Sequence, residues 1–311
     1  MVRPGVGPVL GMAGCIAVFS TGVRAAELFA PNWFADTVNR YDTATGSLIS
    51  TYSGGGLDGP QGVAVDGNGV LHVVGNLSRT LVPFDVASGA VSGSATSFTS
   101  PFNAGSDMEI GPDGNLYTIV TSPLSAFGFV ERFDAQTGAS LGGFTTSVLS
   151  PGGITFGPDG NLYMTSAAND EILRFDGQTG GLLGTFASTG MVQPEGLAFG
   201  PDGDLYVADA AADAVLRYDG TTGAFVNVVD SGPQLDFVWD VAFDPDGLLY
   251  ASTTVSDTIR RYDPVDDSFV DVFATGIKSF YMEIVPEPST LLLCAVCGGL
   301  MVSRRRRTNR A

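Results

Sequence analysis

One spacing recurs along most of this 311-residue chain. A leucine is followed fourteen residues later by an aspartate that itself follows an aromatic residue. The pairs are Leu28 and Asp42, Leu71 and Asp85, Leu162 and Asp176, Leu205 and Asp219, and Leu249 and Asp263; a sixth, Leu116 and Asp134, is four residues longer. Successive aspartates lie 43, 49, 42, 43 and 44 residues apart. A period of roughly 40 to 45 residues made of short strands predicts propeller blades, since one such unit cannot bury both its faces without neighbours.

Turn chemistry divides each unit into strands. Gly111-Pro112-Asp113-Gly114 stands ahead of the leucine strand, as do Gly157-Pro158-Asp159-Gly160, Gly200-Pro201-Asp202-Gly203, Asp244-Pro245-Asp246-Gly247 and the variant Asp66-Gly67-Asn68-Gly69. Proline presets φ, aspartate folds back on its own backbone, and glycine takes the positive φ that re-enters the ladder. A second hairpin follows the aspartate, as in Asp176 with Thr179-Gly180 and Asp219 with Thr222-Gly223. Such turns explain the 42 glycines, about twice the usual share. Strands such as Ile172-Leu173-Arg174-Phe175 alternate in the manner of half-buried sheets. Arginine recurs on them at Arg40, Arg132, Arg174, Arg217 and Arg261, where it is expected to pair with turn aspartates. His72, the single histidine, occupies the slot of Tyr117, Tyr163, Tyr206 and Tyr250 and reads as a packed substitute.

The phase of the repeats predicts how the ring closes. The chain enters at the second strand of a blade, at Leu28, and leaves on a first strand, Met282-Glu283-Ile284, which matches Met108-Glu109-Ile110. Sharing one blade between the two ends removes the exposed edges of an open array. The expectation is an all-β, six-bladed propeller over residues 27–285, flanked by a signal helix over 1–26 and a hydrophobic helix within 286–311.

The unit Gly153-Ile154-Thr155-Phe156-Gly157-Pro158-Asp159-Gly160-Asn161-Leu162-Tyr163 resembles the NHL repeat and its relatives among the SMP-30/gluconolactonase and streptogramin-lyase-like propellers. Metal-dependent lactonases of that kind take Glu, Asn and Asp ligands just before the innermost strands. Here those positions hold Gln61, Ser106, Gly152, Glu195, Trp239 and Phe280, so only Glu195 fits, with Asp107 and Asp240 one residue further on. These three carboxylates are the candidate holders of a divalent cation, Ca or Mg. Histidine-dependent chemistry lacks its imidazoles, since the one histidine reads as packed.

The two ends read as addresses. Residues 1–26 combine Arg3, an apolar run and a small-residue finish at Val23-Arg24-Ala25-Ala26, the pattern of a secretory signal; a lipoprotein box at Cys15 is the rival reading. The other end has Pro286, Glu287 and Pro288, an apolar run from Leu291 to Val302, and Arg304, Arg305, Arg306 and Arg307. This resembles the PEP-CTERM sorting signal. The resemblance implies export in a Gram-negative bacterium, transient retention in the inner membrane, and processing by an exosortase-type enzyme. Between Glu27 and Glu287 lie all 33 acidic residues and only eight basic ones, a net charge of −25. A body so acidic repels phosphate backbones, which excludes nucleic acid as a partner. It also has no cysteine, because Cys15, Cys294 and Cys297 all fall in the end segments.

Loops entering the innermost strands, and those between second and third strands, share one face in a propeller. That face is expected to collect Trp33, Trp239, Phe127 and Phe280, together with Phe98, Phe102, Phe129 and Phe237. Flat rings on an open face stack on sugars or pack on a partner. The leading expectation is a noncatalytic, exported protein that binds an extracellular polysaccharide or a surface protein. The alternative is a cation-dependent lactonase or lyase at the central mouth.

Overall fold

The computed structural model of the chain describes residues 26–98, 106–122 and 125–286. Six antiparallel sheets stand in a ring, each with at least four strands. Blade 1 comprises Pro60–Val65, Val70–Gly75, Thr80–Asp85 and Thr96–Ser97. Blade 2 comprises Met108–Ile110, Leu116–Thr121, Phe127–Phe133 and Ser140–Gly143, with a fifth short strand, Val148–Leu149, laid against Phe127 and Gly128. Blade 3 runs Pro151–Phe156, Leu162–Ser166, Glu171–Phe175 and Leu182–Ala187; blade 4 runs Pro194–Phe199, Leu205–Asp209, Ala214–Tyr218 and Phe225–Ser231. Blade 5 runs Val238–Phe243, Leu249–Thr253, Thr258–Asp263 and Ser268–Thr275.

Blade 6 is assembled from both ends of the chain. Its innermost strand, Glu283–Pro286, pairs with Ala26–Asn32, which continues to Thr37–Asp42 and Leu48–Tyr52. The register sets Ala26 opposite Pro286, Leu28 opposite Ile284 and Phe29 opposite Glu283. The sheet thus takes in one residue beyond each expected edge, Ala26 and Pro286. A proline is tolerated there because the last residue of a strand needs no further N–H in the ladder. The expected signal helix and tail helix lie outside the described residues. Among the described residues the one helical element is a 3-10 turn, Pro233–Leu235, and no helix is long and apolar enough to cross a membrane.

Seams between blades are filled by interlocked rings. Tyr117 lies edge-on between Phe144 of its own blade and Phe156 of the next, at 4.9 and 5.0 Å. Tyr163 repeats this with Phe186 and Phe199, and Tyr206 meets Phe243. Each tyrosine is buried, and its hydroxyl donates to the turn aspartate ahead of it: Tyr117 to Asp113, Tyr163 to Asp159, Tyr206 to Asp202 and Tyr250 to Asp244. His72 sits in the same slot, buried, with Nε2 3.3 Å from Asp66.

Three of the five repeat arginines pair with turn aspartates as expected: Arg132 with Asp113, Arg174 with Asp159, and Arg217 with Asp202 and Asp204. Two depart from this. The first two strands of blade 6, Glu283–Pro286 and Ala26–Asn32, are not consecutive in the chain, so no hairpin turn joins them, and Arg40 pairs with Glu27 instead. Arg261 reaches Asp271 of its outer strand and the Thr43 carbonyl of blade 6, which ties the closing seam.

The innermost strands converge so tightly that glycine is required at some of their contacts. A Cβ on Gly196 would lie 2.0 Å from Asp240 Oδ1 and 2.7 Å from its Cα, and one on Gly153 would lie 2.8 Å from the Gly196 Cα. That closeness brings carboxylates of neighbouring blades to one axis.

Candidate functional site

Aligning the six innermost strands shows what reaches the axis. The first axial position holds Gly62, Asp107, Gly153, Gly196, Asp240 and Tyr281; two residues later stand Ala64, Glu109, Thr155, Ala198, Ala242 and Glu283. Tyr281 belongs to blade 6, yet its hydroxyl donates to the Gly152 carbonyl of blade 3, directly across the ring, at 2.9 Å. The ring is buried, so it closes the axis at the level of the loop face. Burial raises the tyrosine pKa well above its usual value, with Glu195, Asp107 and Asp240 adding to the effect. Its ring meets that of Trp239 edge-on, with centroids 6.4 Å apart.

Beside this plug lies an axial cavity of about 130 Å³ lined by Asp107, Glu109, Asp240 and Glu283 among apolar residues such as Ile154, Leu197 and Met282. No basic side chain lines it. Desolvation raises all four carboxyl pKa values: Asp107 to about 7, Glu283 to about 8, and Glu109 and Asp240 well above the carboxylate range. Neighbouring like charges add to the rise in Glu109, Asp240 and Glu283. Two of these groups also join blades. Asp107 accepts from the N–H of Met108 and, across the seam, from that of Ile154, both at 2.8 Å; Asp240 accepts from Met282 N–H at 2.7 Å.

Glu195 opens elsewhere, into a shallow cavity of about 380 Å³ walled by Ser150, Ala167, Ala168, Val192, Gln193 and Ala211. Gln193 donates to its Oε1 at 3.0 Å, and burial lifts its carboxyl to about 7. The loop beneath is held by Asp209, whose buried carboxylate accepts from the N–H groups of Val192, Gln193 and Ala212. Glu195 therefore lines one cavity while Asp107 and Asp240 line another. Among the described residues no group of three His, Cys, Asp or Glu side chains is able to hold a metal ion.

The aromatic expectation resolves into a cluster and some outliers. Trp33 meets Phe280 at 5.3 Å, Phe280 meets Trp239 at 5.0 Å, and Trp239 meets Phe237 at 5.9 Å. All four are partly exposed, and they form one row across blades 5 and 6. Beyond Trp33, the Lys278 ammonium lies 5.0 Å from the centre of the exposed Phe34 ring. Phe127 is half exposed on blade 2, opposite Leu149, away from this row. Phe98 is not a face residue: it packs on Phe133 in the seam between blades 1 and 2. Phe129 covers Gly143 on the outer strand, and Phe102 lies outside the described residues, as do Glu287, Pro288 and Arg304 to Arg307.

Sequence reasoning missed Tyr281, Glu109, Glu283 and Asp209. The first three were detectable, since Tyr281 is the one ring in its column and Glu109 and Glu283 are the two acids in a column otherwise of Ala and Thr; Asp209 had no such signal.

Fold and axis together define an all-β, six-bladed propeller whose axis is plugged on one face. Solved structures with the same architecture include a protein of unknown function from Bacteroides caccae, at 16% identity over 85% of this chain and 100% of that one, with a TM-score of 0.65. A chain of a nidogen/laminin complex matches at 16% identity over 83% of this chain and 98% of that one, with a TM-score of 0.68. The virginiamycin B lyase of Staphylococcus aureus matches at 15% identity over 84% and 81%, with a TM-score of 0.58. At such identities the likeness shows the fold. No protein-family model matches the chain, and no curated protein matches its sequence.

Proposed function

We propose that this propeller is a binding protein whose loop face takes up an extracellular polysaccharide or a surface protein, and that it is exported and sorted by an exosortase-type system acting on its C-terminal segment. The observation that carries the reading is the row Phe237, Trp239, Phe280 and Trp33. Its rings are partly exposed on the face whose axial opening Tyr281 closes, so that face presents a surface and no tunnel. Partly exposed indoles gain most of their contact energy when a flat apolar partner covers them. One of the similar structures was solved as a protein complex, which agrees with a propeller acting through its surface. In titrations against the producing cell's polysaccharide and surface-protein fractions, saturable binding is expected. The double variant Trp33→Ala, Trp239→Ala should weaken it roughly tenfold or more, about 1.4 kcal/mol, while still unfolding in one cooperative transition. Undiminished binding in that variant would remove the aromatic row from the account.

A second reading is supported by Glu195. A carboxyl lifted to about 7 and open to a cavity is suited to general acid–base work, and one similar structure is a lyase. This reading predicts turnover of virginiamycin B or simple lactones by the purified protein, falling about a hundredfold or more in Glu195→Gln. A protein inert toward these compounds, with or without added Ca or Mg, would end it.

A further inference from the structure

Blade 1 breaks the repeat at three neighbouring places, and a cavity of about 270 Å³ opens where it does so. Its tyrosine slot holds His72, its arginine slot holds Pro83, and the phenylalanine that the following blade supplies at other seams, such as Phe156 or Phe199, is here Ile110. Its outer strand is cut to Thr96–Ser97, and Phe98, which follows it, turns away to Phe133. Each change removes volume from the place that a ring and a guanidinium fill elsewhere. The segment around Ser92 to Ser94 stays at the rim, with Ser92 N–H donating to the Pro83 carbonyl, and the hairpin Ala135 to Gly138 of blade 2 forms the far wall.

The lining restricts what could enter. Asp66 is engaged within the wall: Oδ1 accepts from the N–H groups of Asn68 and Val70, and Oδ2 faces His72. The imidazole itself is held toward its neutral form by burial. With proline in place of arginine, no basic side chain lines the cavity. What remains is a set of hydroxyls and amides, including Ser94, Thr96 and Gln136, around an apolar patch of Leu81 and Pro83. The volume falls below the roughly 300–1,000 Å³ of sites for drug-sized ligands, which leaves room for a single ring.

From this lining we infer that the seam between blades 1 and 2 is a binding site for a neutral polyhydroxylated ring, one sugar residue, with its C–H face on Leu81 and Pro83 and its hydroxyls on the Ser, Thr and Gln groups. The site is separate from the aromatic row, which belongs to blades 5 and 6, and does not depend on that row binding anything.

The test is saturation-transfer NMR on the full chain with glucose, galactose and mannose, and with glucuronic acid and glucosamine as charged comparators. At least one neutral sugar should bind saturably and better than either charged one. Two variants close the cavity from opposite sides. His72→Tyr restores the repeat's own side chain from within, and Ser94→Trp covers the exposed rim without touching the core. Each should weaken binding at least tenfold, and the rim variant keeps the test decisive if the buried one fails to fold. No saturable binding of any neutral sugar, stronger binding of a charged one, or binding retained in Ser94→Trp would overturn the inference.

Discussion

A chain ending at Lys278 is expected not to fold, whereas one ending at Pro286 should retain a cooperative unfolding transition. The shorter chain loses the innermost strand of blade 6 and with it the buried Tyr281 and Met282. It also loses the N–H of Met282 that satisfies Asp240 and the partner strand of Ala26–Asn32. Each large apolar side chain exposed costs about 1.5–3 kcal/mol, and an unsatisfied buried carboxylate costs more. Together these approach the 5–15 kcal/mol by which a domain is stable at all. The uncovered strand would also present a row of unpaired backbone groups to other chains. Circular dichroism and urea titration of the two chains check this; a cooperative transition in the shorter chain would show that the ring does not depend on its closing strand.

The second large effect is a loss of stability as pH rises. Asp107, Glu109, Asp240 and Glu283 line one axial cavity with no basic side chain among its lining residues, and Glu195 is buried nearby. Each has a folded-state pKa above its unfolded value near 4, so between those values the folded state binds more protons and stability falls with pH. The penalty starts above about pH 4 and is complete only above the folded values near 7 and 8. For Asp107 alone, a rise from 3.8 to about 7 corresponds to about 4 kcal/mol. For a body of this size the unfolding temperature should therefore drop on the order of 10 °C between pH 5 and pH 9. Acid works in the opposite sense on the surface turns. Asp85, Asp134, Asp176 and Asp219 are held below the usual range by Ser and Thr hydroxyls and backbone N–H groups, so the stability they add is present above pH 4 and lost below it. A maximum near pH 5 follows. Replacing Glu283 with Gln should shrink the alkaline drop; a flat profile between pH 5 and pH 9 in the parent protein would show that the axis carries no such load.

Much of the candidate site could be read from the chain because blades repeat. Trp33, Trp239 and Phe280 were placed on one face by their position in the unit, and the structure brings their rings within about 5 Å of each other in sequence along the row. Phe98 was misplaced for a reason that spacing does not contain: the shortened outer strand of blade 1 swings it into the seam. The division of Glu195 from Asp107 and Asp240 into separate cavities was likewise invisible, because it depends on where six strands meet.

The sequence by itself determined the blade count, the turn types and the pairing of the two chain ends, because each follows from local chemistry repeated at a fixed interval. Only the tertiary structure decided that Tyr281 closes the axis, that four carboxylates share it, and that a cavity opens beside His72. Those features arise between blades, where side chains far apart in the chain compete for one volume, and no periodicity records who occupies it.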